Sequence, residues 1–418
     1  MNIFILTLGS RGDVQPYVAL GKGLAAAGHT VTLAAGTGFD DLVAQGGLRY
    51  APIDADIFQL LDAARAQGST GGMSRLSLIK MVMPMMRRVL EQSWEAAQGA
   101  QAIIFHPKPL AGYHIAEGLG IPGFMALPVP LYSPTRCFPS PALPVKDLGG
   151  FLNRLSHGPV LAAASAPYRR MVNDFRRQVL GLPPVRDEMT LHGQPLLRLY
   201  AVSPHVLPPP PDWDPASILT GYWFLDAAPG WQPPDDLLAF LDAGPAPVYV
   251  GFGSMAVQDP VRTTRTVLQA LERAGQRAVL AAGWGGLRAE DLPESVYMLE
   301  SAPHDWLFPR MAAVVHHGGA GTLAAGLRAG KPTLVCPFLA DQTFWGWRAA
   351  GLKVGPEPLP YKRWTVEKLA EAIRLTATDA GMRTRAAALG EKIRSEDGVR
   401  RAVEIIQGVL DRWPYERL

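Results

Sequence analysis

The sequence predicts an α/β protein made of two doubly wound halves. Three observations carry the prediction. Residues 2–35 run strand, turn, helix, strand. The same order restarts at Val248. A span crowded with proline separates the two. Helices alternating with short apolar strands imply a mostly parallel sheet between helical layers. In such sheets ligands sit beyond the carboxyl ends of the strands, where the strand order reverses. At 418 residues the chain is too long for one core and comfortable for two.

Residues 2–8 form a near-continuous apolar run, as expected of a strand covered on both faces. Residues 9–13 (Gly-Ser-Arg-Gly-Asp) read as a turn. Residues 14–27 then carry helical spacing, with Pro16 tolerated in the first turn. Gly28 and His29 stop that helix, and residues 30–35 are the next strand. The turn lacks the three-glycine spacing of a dinucleotide fingerprint, so a nicotinamide cofactor is not expected. Asp13 stands at the ligand crevice by topology; a helix N-cap or a plain surface acid is its other reading. Residues 73–97 are helical, interrupted by Pro84 and rich in methionine, including Met81 and Met85. Methionine adapts to irregular apolar shapes, so the stripe is either ordinary core or a pliable wall for a bulky apolar ligand. Residues 102–105, ending in Phe105, are a strand. His106-Pro107-Lys108-Pro109 and a helix to Leu119 follow, then a strand over 121–127. The proline-crowded stretch 128–144, with Tyr132 and Phe138, is a long loop of the kind that carries binding surfaces. A further strand is expected over 199–202.

Four consecutive prolines at 208–211 open a Pro-, Gly- and Trp-rich span that reads as a semi-rigid connection. The expected organisation is therefore a first domain over 1–207, a linker over 208–234, a second domain over 235–395, and a last helix over 396–418. In the second half, strands are expected over 248–252, 277–282 and 296–299, with a helix over 261–274. Gly253 and Ser254 again put small residues at a strand's end. The stretch 311–315 is a short apolar strand running into His316, His317 and Gly318-Gly319-Ala320-Gly321-Thr322, after which a helix runs to about Ala329. Backbone N–H groups and the helix dipole at such an end suit a phosphate, and a histidine and a threonine add side-chain donors. The bland reading is a structural glycine loop. The histidine pair is also half a metal site on paper, but no Cys or carboxylate cluster sits at ligand spacing, so no metal is expected. A strand over 332–336 leads to Asp341 and Gln342. An acid beside an amide can grip vicinal hydroxyls, and an ordinary helix N-cap is the alternative. Trp306 flanks a nucleobase or joins the core. Helices over 365–376, 380–395 and 399–413 complete the chain.

Composition excludes several classes. Hydrophobic residues make up 48% and charged residues 18%, which is a globular balance. A net charge of +3, from 40 basic and 37 acidic residues, is too balanced for a nucleic-acid binder. Two cysteines far apart argue against a disulfide framework. No signal peptide or bilayer-spanning run is evident, so a cytoplasmic location is expected. No strongly basic amphipathic helix stands out; a transient membrane-surface contact is expected only if the partner is a lipid.

Three blocks together resemble the family 1 glycosyltransferases of GT-B fold, two Rossmann-like domains facing across a cleft. They are residues 8–16 (LGSRGDVQP), residues 303–308 (PHDWLF), and residues 316–322 continuing to Asp341-Gln342. The likeness is to bacterial and fungal sterol glucosyltransferases and related antibiotic glycosyltransferases. It implies C-terminal helices that pack back on the first domain. It also implies inverting transfer of a sugar, typically glucose from UDP-glucose, to a hydroxyl of a hydrophobic acceptor such as a sterol or triterpenoid, with no metal or other cofactor. The same resemblance allows a polyketide, carotenoid or lipid aglycone with a TDP-deoxysugar donor. Epimerisation of a sugar nucleotide, or a non-catalytic partner protein, are the readings from other classes. By position, Asp13 corresponds to the acceptor-activating base, where plant members use a histidine. His317, Gly319, Gly321 and Thr322 match the diphosphate site; Asp341 and Gln342 match the pair that holds the sugar. Ser301, Ala302 and Trp306 lie where the family contacts the nucleobase, and Ser10, Gly12 and Ser254 lie near the phosphates. The acceptor wall is expected to draw on Met81, Met85, Phe105, Tyr132 and Phe138.

Overall fold

The computed structural model describes residues 1–55, 75–253, 255, 259–282, 292–339 and 341–413. The first domain runs β1 (Asn2–Leu6), α1 (Arg11–Ala26), β2 (Thr30–Gly36), α2 (Asp40–Gln45), β3 (Arg49–Ile53), α3 (Arg75–Ala96), β4 (Ala102–Phe105), α4 (Gly112–Leu119) and β5 (Gly123–Leu127). It continues with α5 (Gly150–Ser165), α6 (Arg169–Gln178), a small hairpin of β6 (Thr190–Leu191) and β7 (Gln194–Pro195), then β8 (Leu197–Tyr200) and β9 (Ser217–Leu219). Apart from the hairpin, these strands form one sheet in the order β3-β2-β1-β4-β5-β8-β9. The second domain holds α7 (Asp235–Asp242), β10 (Val248–Gly251), α8 (Pro260–Ala274), β11 (Ala278–Ala281), β12 (Val296–Leu299), α9 (His304–Leu307), β13 (Ala313–His316), α10 (Ala320–Arg328), β14 (Thr333–Val335) and α11 (Gln342–Gly351). Its sheet order is β12-β11-β10-β13-β14. Then come α12 (Val366–Thr378), α13 (Ala380–Arg394) and α14 (Gly398–Leu410). Every pairing within the two large sheets is parallel.

Burial follows the period of two along each strand. On β1, Ile3 and Ile5 join α1 residues Val14, Tyr17 and Leu20 in one core. Phe4 and Leu6 face the other way, into a second core with Met85, Met86 and Val89 of α3. The methionine stripe is therefore largely core at these positions. The expected α/β double winding is present in both halves. The C-terminal return is present as well: Ala402, Val403 and Ile406 of α14 share the core of α1 and β1. Gly23 permits this approach, because a Cβ there would lie 2.4 Å from Cγ1 of Val399.

The span 208–234 differs from a plain linker. Its residues Ser217–Leu219 are the edge strand β9, paired with Arg198–Tyr200 of β8. The connection proper follows it and is held by both domains. Gln15 Nε2 donates to the Leu225 carbonyl at 3.2 Å. Arg328 pairs with Asp226 and lies 4.5 Å over the Phe224 ring. Across the domain boundary, Phe138 meets Phe344 with ring centres 5.2 Å apart, and Arg348 Nη2 donates to the Val206 carbonyl at 2.6 Å. The second domain's α11 thus packs directly on first-domain loops.

Candidate functional site

In the first sheet, β1 is flanked by β2 and β4, so the strand order reverses between β1 and β4. The loops leaving these two strands open the crevice that this topology provides for ligands. The loop after β1 delivers Ser10 and Asp13; the loop after β4 delivers His106 and Lys108. Helix α1 begins at Arg11, two residues before the expected turn would end, which puts Asp13 in its first turn. The Asp13 Oδ2 atom accepts from the Ser10 backbone N–H at 2.9 Å and from the Ser10 hydroxyl at 3.1 Å. Part of a capping box is therefore built from these two residues. Gly9, at φ +140°, is required here: a Cβ would sit 2.3 Å from Asp13 Oδ2. The other oxygen, Oδ1, is paired with the Lys108 ammonium. Burial would push the Asp13 pKa up, but the Lys108 charge and the Ser10 hydrogen bonds outweigh it and hold the carboxyl below its ordinary value. Asp13 is thus an ionised carboxylate that both caps a helix and faces the crevice. Next to it, His106 is buried and neutral. Burial and the Lys108 charge bring its pKa down to about 3, and its Nδ1 accepts from the Lys108 backbone N–H at 3.0 Å.

The second sheet repeats the arrangement, with its reversal between β10 and β13, where Gly251 sits opposite His316. The two histidines divide sharply. His316 is fully buried, bonds Thr333 Oγ1 through Nε2 at 2.8 Å, and accepts from the Gly318 N–H at 3.0 Å. Its role is to shape the turn. The His317 ring lies in a slot cleared by glycines. A Cβ on Gly319 would come within 2.5 Å of its Nε2, and one on Gly253 within 3.1 Å of its Cε1. Burial lowers the His317 pKa to about 4, and its buried Nδ1 has no hydrogen-bond partner among the described residues. An orphaned polar atom of this kind beside a helix N-terminus fits an external anion. Helix α10 starts there with Gly319 as N-cap, so Ala320, Gly321 and Thr322 supply its first, unpaired N–H groups. Gly318, at φ +96°, makes the turn tight; a Cβ there would meet the Gln342 carbonyl at 2.8 Å. Among the described residues no group of three or more His, Cys, Asp or Glu stands together as a metal site.

Asp341 and Gln342 open α11. The Asp341 side chain does not cap the helix backbone as the alternative reading had it; Oδ2 accepts from the Trp345 indole at 3.0 Å. Burial raises its pKa, and among the charges acting on it are Lys108 and Asp13 of the other domain. The two switch points therefore face each other. Gln342 is more committed than its side chain suggests. Its Oε1 accepts from the N–H groups of Phe338 and Leu339 at 2.7 and 3.1 Å, bracing the loop, and its Nε2 contacts the Met255 sulfur at 3.2 Å. Only the NH₂ remains for a ligand.

The other expected residues spread out. Gly12 and Ser301 are exposed and Ala302 is half-buried. Trp306 has the Arg310 guanidinium 4.2 Å over its ring and Trp231 edge-on at 5.2 Å, so one of its faces is already used. Ser254 lies outside the described residues. Of the acceptor-wall candidates, Met85 and Phe105 are fully buried in the α3-side core, Met81 and Tyr132 are half-buried, and Phe138 forms the interdomain contact with Phe344. Two residues were not singled out from sequence. Lys108 pairs with Asp13. Arg11, exposed at the start of α1, acts electrostatically on His304 of the second domain. The signal for Lys108 was its place directly after the strand that neighbours β1.

Comparison with known proteins agrees with this geometry. Residues 3–135 match the Glycosyltransferase family 28 N-terminal domain, and residues 267–407 match the Erythromycin biosynthesis protein CIII-like C-terminal domain. The chain is 38% identical over 417 residues to the sterol 3-beta-glucosyltransferases UGT80A2 and UGT80B1 of Arabidopsis thaliana. That match takes in 97% of this chain and 65% and 67% of theirs. It is also 38% identical to a sterol 3-beta-glucosyltransferase of Emericella nidulans, over 98% of this chain and 30% of that one. The chain thus spans about two thirds of the plant relatives and under a third of the fungal one, and the likeness extends to plants as well as fungi. Among solved structures, the glycosyltransferase of kitacinnamycin superposes with a TM-score of 0.73 at 21% identity, covering 98% of this chain and 99% of that one. The calicheamicin glycosyltransferase CalG4 gives 0.70 at 20%, covering 99% of each. The chain belongs to the GT-B glycosyltransferases, in the family that includes the sterol 3-beta-glucosyltransferases.

Proposed function

We propose that this protein transfers glucose from UDP-glucose, with inversion, to the hydroxyl of an apolar alcohol of the sterol or triterpenoid class. The observation that carries the reading is the opposition of two switch points. An ionised Asp13 ends one crevice, and Asp341, close enough to feel its charge, ends the other. The kinship with sterol 3-beta-glucosyltransferases supports the acceptor class.

The chemistry follows from the parts. A hydroxyl becomes a competent nucleophile only as its proton leaves, and a carboxylate within hydrogen-bond reach accepts that proton as the new bond forms. Asp13 offers Oδ1 for this, once the Lys108 ammonium gives way. Its Oδ2 stays fixed on Ser10, so the base keeps its orientation. The leaving diphosphate gains charge as the old bond breaks. The first N–H groups of α10 and His317 Nδ1, which has no partner among the described residues, support a site for that charge. Because His317 is neutral at pH 7, it acts as a hydrogen-bond donor and not as a cation. Asp341 accepts from sugar hydroxyls and the Gln342 NH₂ donates to one. No step calls for a metal ion.

The test is a panel of UDP- and TDP-sugars against sterols, triterpenoids and polyketide alcohols, read by mass spectrometry. A hexose gain on a sterol or triterpenoid from UDP-glucose is expected. Gain only from a TDP-deoxysugar on a polyketide would replace donor and acceptor together. Conversion of the nucleotide sugar with no product on any alcohol would move the protein to the epimerases.

A further inference from the structure

Two residues of the sequence blocks at 8–16 and 303–308 take no part in the reaction as derived above: Gln15 and Asp305. They meet at the same piece of backbone. Gln15 Nε2 donates to the Leu225 carbonyl at 3.2 Å, and Asp305 Oδ2 accepts from the Ala227 N–H at 2.9 Å. The residue between, Asp226, pairs with Arg328 of the second domain. The chain thus passes from one domain to the other within the three residues 225–227. The Leu225 side chain packs on the core that α1 shares with β1 and α14, whereas Asp226 and Ala227 are bound by α10 and α9. Further on, Trp231 lies edge-on to Trp306 with ring centres 5.2 Å apart, so the connection stays docked on α9. Water can satisfy the backbone groups of a connecting loop. Here side chains from opposite domains do so instead.

Each grip comes from a helix that bears a part of the site. Gln15 follows Asp13 on α1, about 3 Å further along the axis. Its Oε1 accepts from Arg11 Nε at 3.2 Å, which leaves the NH₂ end for Leu225. Asp305 is the neighbour of Trp306 on α9. Arg328 stands in the last turn of α10, whose first turn supplies the N–H groups of the diphosphate site. Across the boundary α1 lies against α10. We propose that Gln15 and Asp305 are positioning residues for the transfer reaction. By clamping residues 225–227 from the two sides, they set the distance between the base on α1 and the donor held by α9 and α10. Both act through other residues. A stiff helix passes a shift at the clamp straight to Asp13, and a misplacement of about 1 Å at a reacting centre costs up to about 10²-fold in rate.

The experiment has a distance arm and a kinetic arm. The kinetic arm rests on the transfer reaction proposed above; the distance arm does not. Nitroxides on Q98C and E272C, exposed positions of the first and second domain, are placed in a C137S background of the full chain. Their separation is measured by pulsed electron paramagnetic resonance with UDP bound. Gln15→Met keeps the stem but cannot donate to Leu225, and Asp305→Ala removes the acceptor for Ala227. Each should broaden the distance distribution relative to the wild type, whereas Asp305→Asn, which retains an oxygen, should not. In unlabelled protein Gln15→Met and Asp305→Ala should each lower kcat by about tenfold to a hundredfold. The calorimetric affinity for UDP should stay within about twofold. The acid limb of the pH profile should not move, because the Ser10 and Lys108 contacts on Asp13 remain. The double variant should fall within about twofold of the worse single one, since releasing either grip frees the same segment. Unchanged distances or unchanged kcat in both single variants overturn the proposal. So do losses that multiply in the double variant, or an Asp305→Asn variant as impaired as Asp305→Ala. Absence of transfer by the wild type would remove the transfer reading alone, and the distances would still decide the clamp.

Discussion

Replacing Lys108 by methionine isolates what the ion pair does to the base. The stem of the side chain is retained and the ammonium on Asp13 Oδ1 is lost, while the two Ser10 hydrogen bonds to Oδ2 remain. Burial, the largest influence on Asp13, already pushes its pKa up; the Lys108 charge, followed by smaller contributions from His106 and from the Lys108 and Ser10 hydrogen bonds, keeps it low. An opposite charge in contact lowers a carboxyl by about 1–3 pH units. Lys108 is half exposed, so solvent screens part of its hold on Asp13. The base works ionised, so activity falls as the pH drops through the Asp13 pKa. In the methionine variant that fall should begin at a higher pH, whereas Lys108→Arg should leave it in place. Well above the acid limb of both forms the rates should agree within about tenfold. The assay is kcat/KM for the acceptor from pH 4 upward, roughly the range in which carboxylates titrate, with circular dichroism at each pH to show that the fold persists. Linkage gives the same sign for stability. A carboxyl depressed in the folded state contributes stability that is complete above its unfolded pKa and is lost as the pH falls through the folded one. An acid limb that does not move in the methionine variant would refute the idea that Lys108 sets the ionisation of the base.

Two further substitutions separate roles that one residue combines. Asp13→Asn keeps an oxygen for the Ser10 N–H, so the melting temperature and the affinity for UDP should hold. Turnover should fall by about 10²–10⁴ for want of a base; single-turnover kinetics and calorimetric UDP binding measure the split, and wild-type turnover in the variant would remove Asp13 from the mechanism. Gly319→Ala tests the His317 slot. Gly319 has ordinary extended torsions, so alanine brings no backbone strain, but its Cβ would lie 2.5 Å from His317 Nε2 and must displace the ring. Steady-state kinetics should show kcat reduced by about tenfold or more with the fold intact, since one oriented donor is worth up to about 10²–10³; unchanged kinetics would mean that the ring position is irrelevant.

The fold could be read from sequence because its signals are local. Apolar runs of four or five residues, glycine or proline between them and helical spacing after them mark each β–α step, and the C-terminal helices could be placed within a few residues. The glycine turn at 318–322 was readable for the same reason, as strand, turn and helix are contiguous there. What could not be read depends on pairing across the sequence. Asp13 was visible; that Lys108 sits on it follows only once β4 is known to lie beside β1, 95 residues away. The two histidines look equivalent in the sequence; only the pairing of β13 with β14 brings Thr333 within reach of the His316 ring, while His317 Nδ1 has no partner among the described residues. Gln342 likewise reads as a free amide until the loop at 338–339 folds onto its oxygen.

Helix α5 went unseen for a different physical reason. Pattern reading assumes that the apolar stripe of a helix faces the core. In 150–165 the stripe and the buried side are opposed, because Asn153 and His157 are needed to hold the proline-rich loop that reaches the second domain. A helix that spends its inner face on polar bracing has only its outer face left for Phe151, Leu152 and Leu155. Substituting those three by polar residues therefore costs the folded chain little, while Asn153→Ala should loosen the loop that brings Phe138 to Phe344.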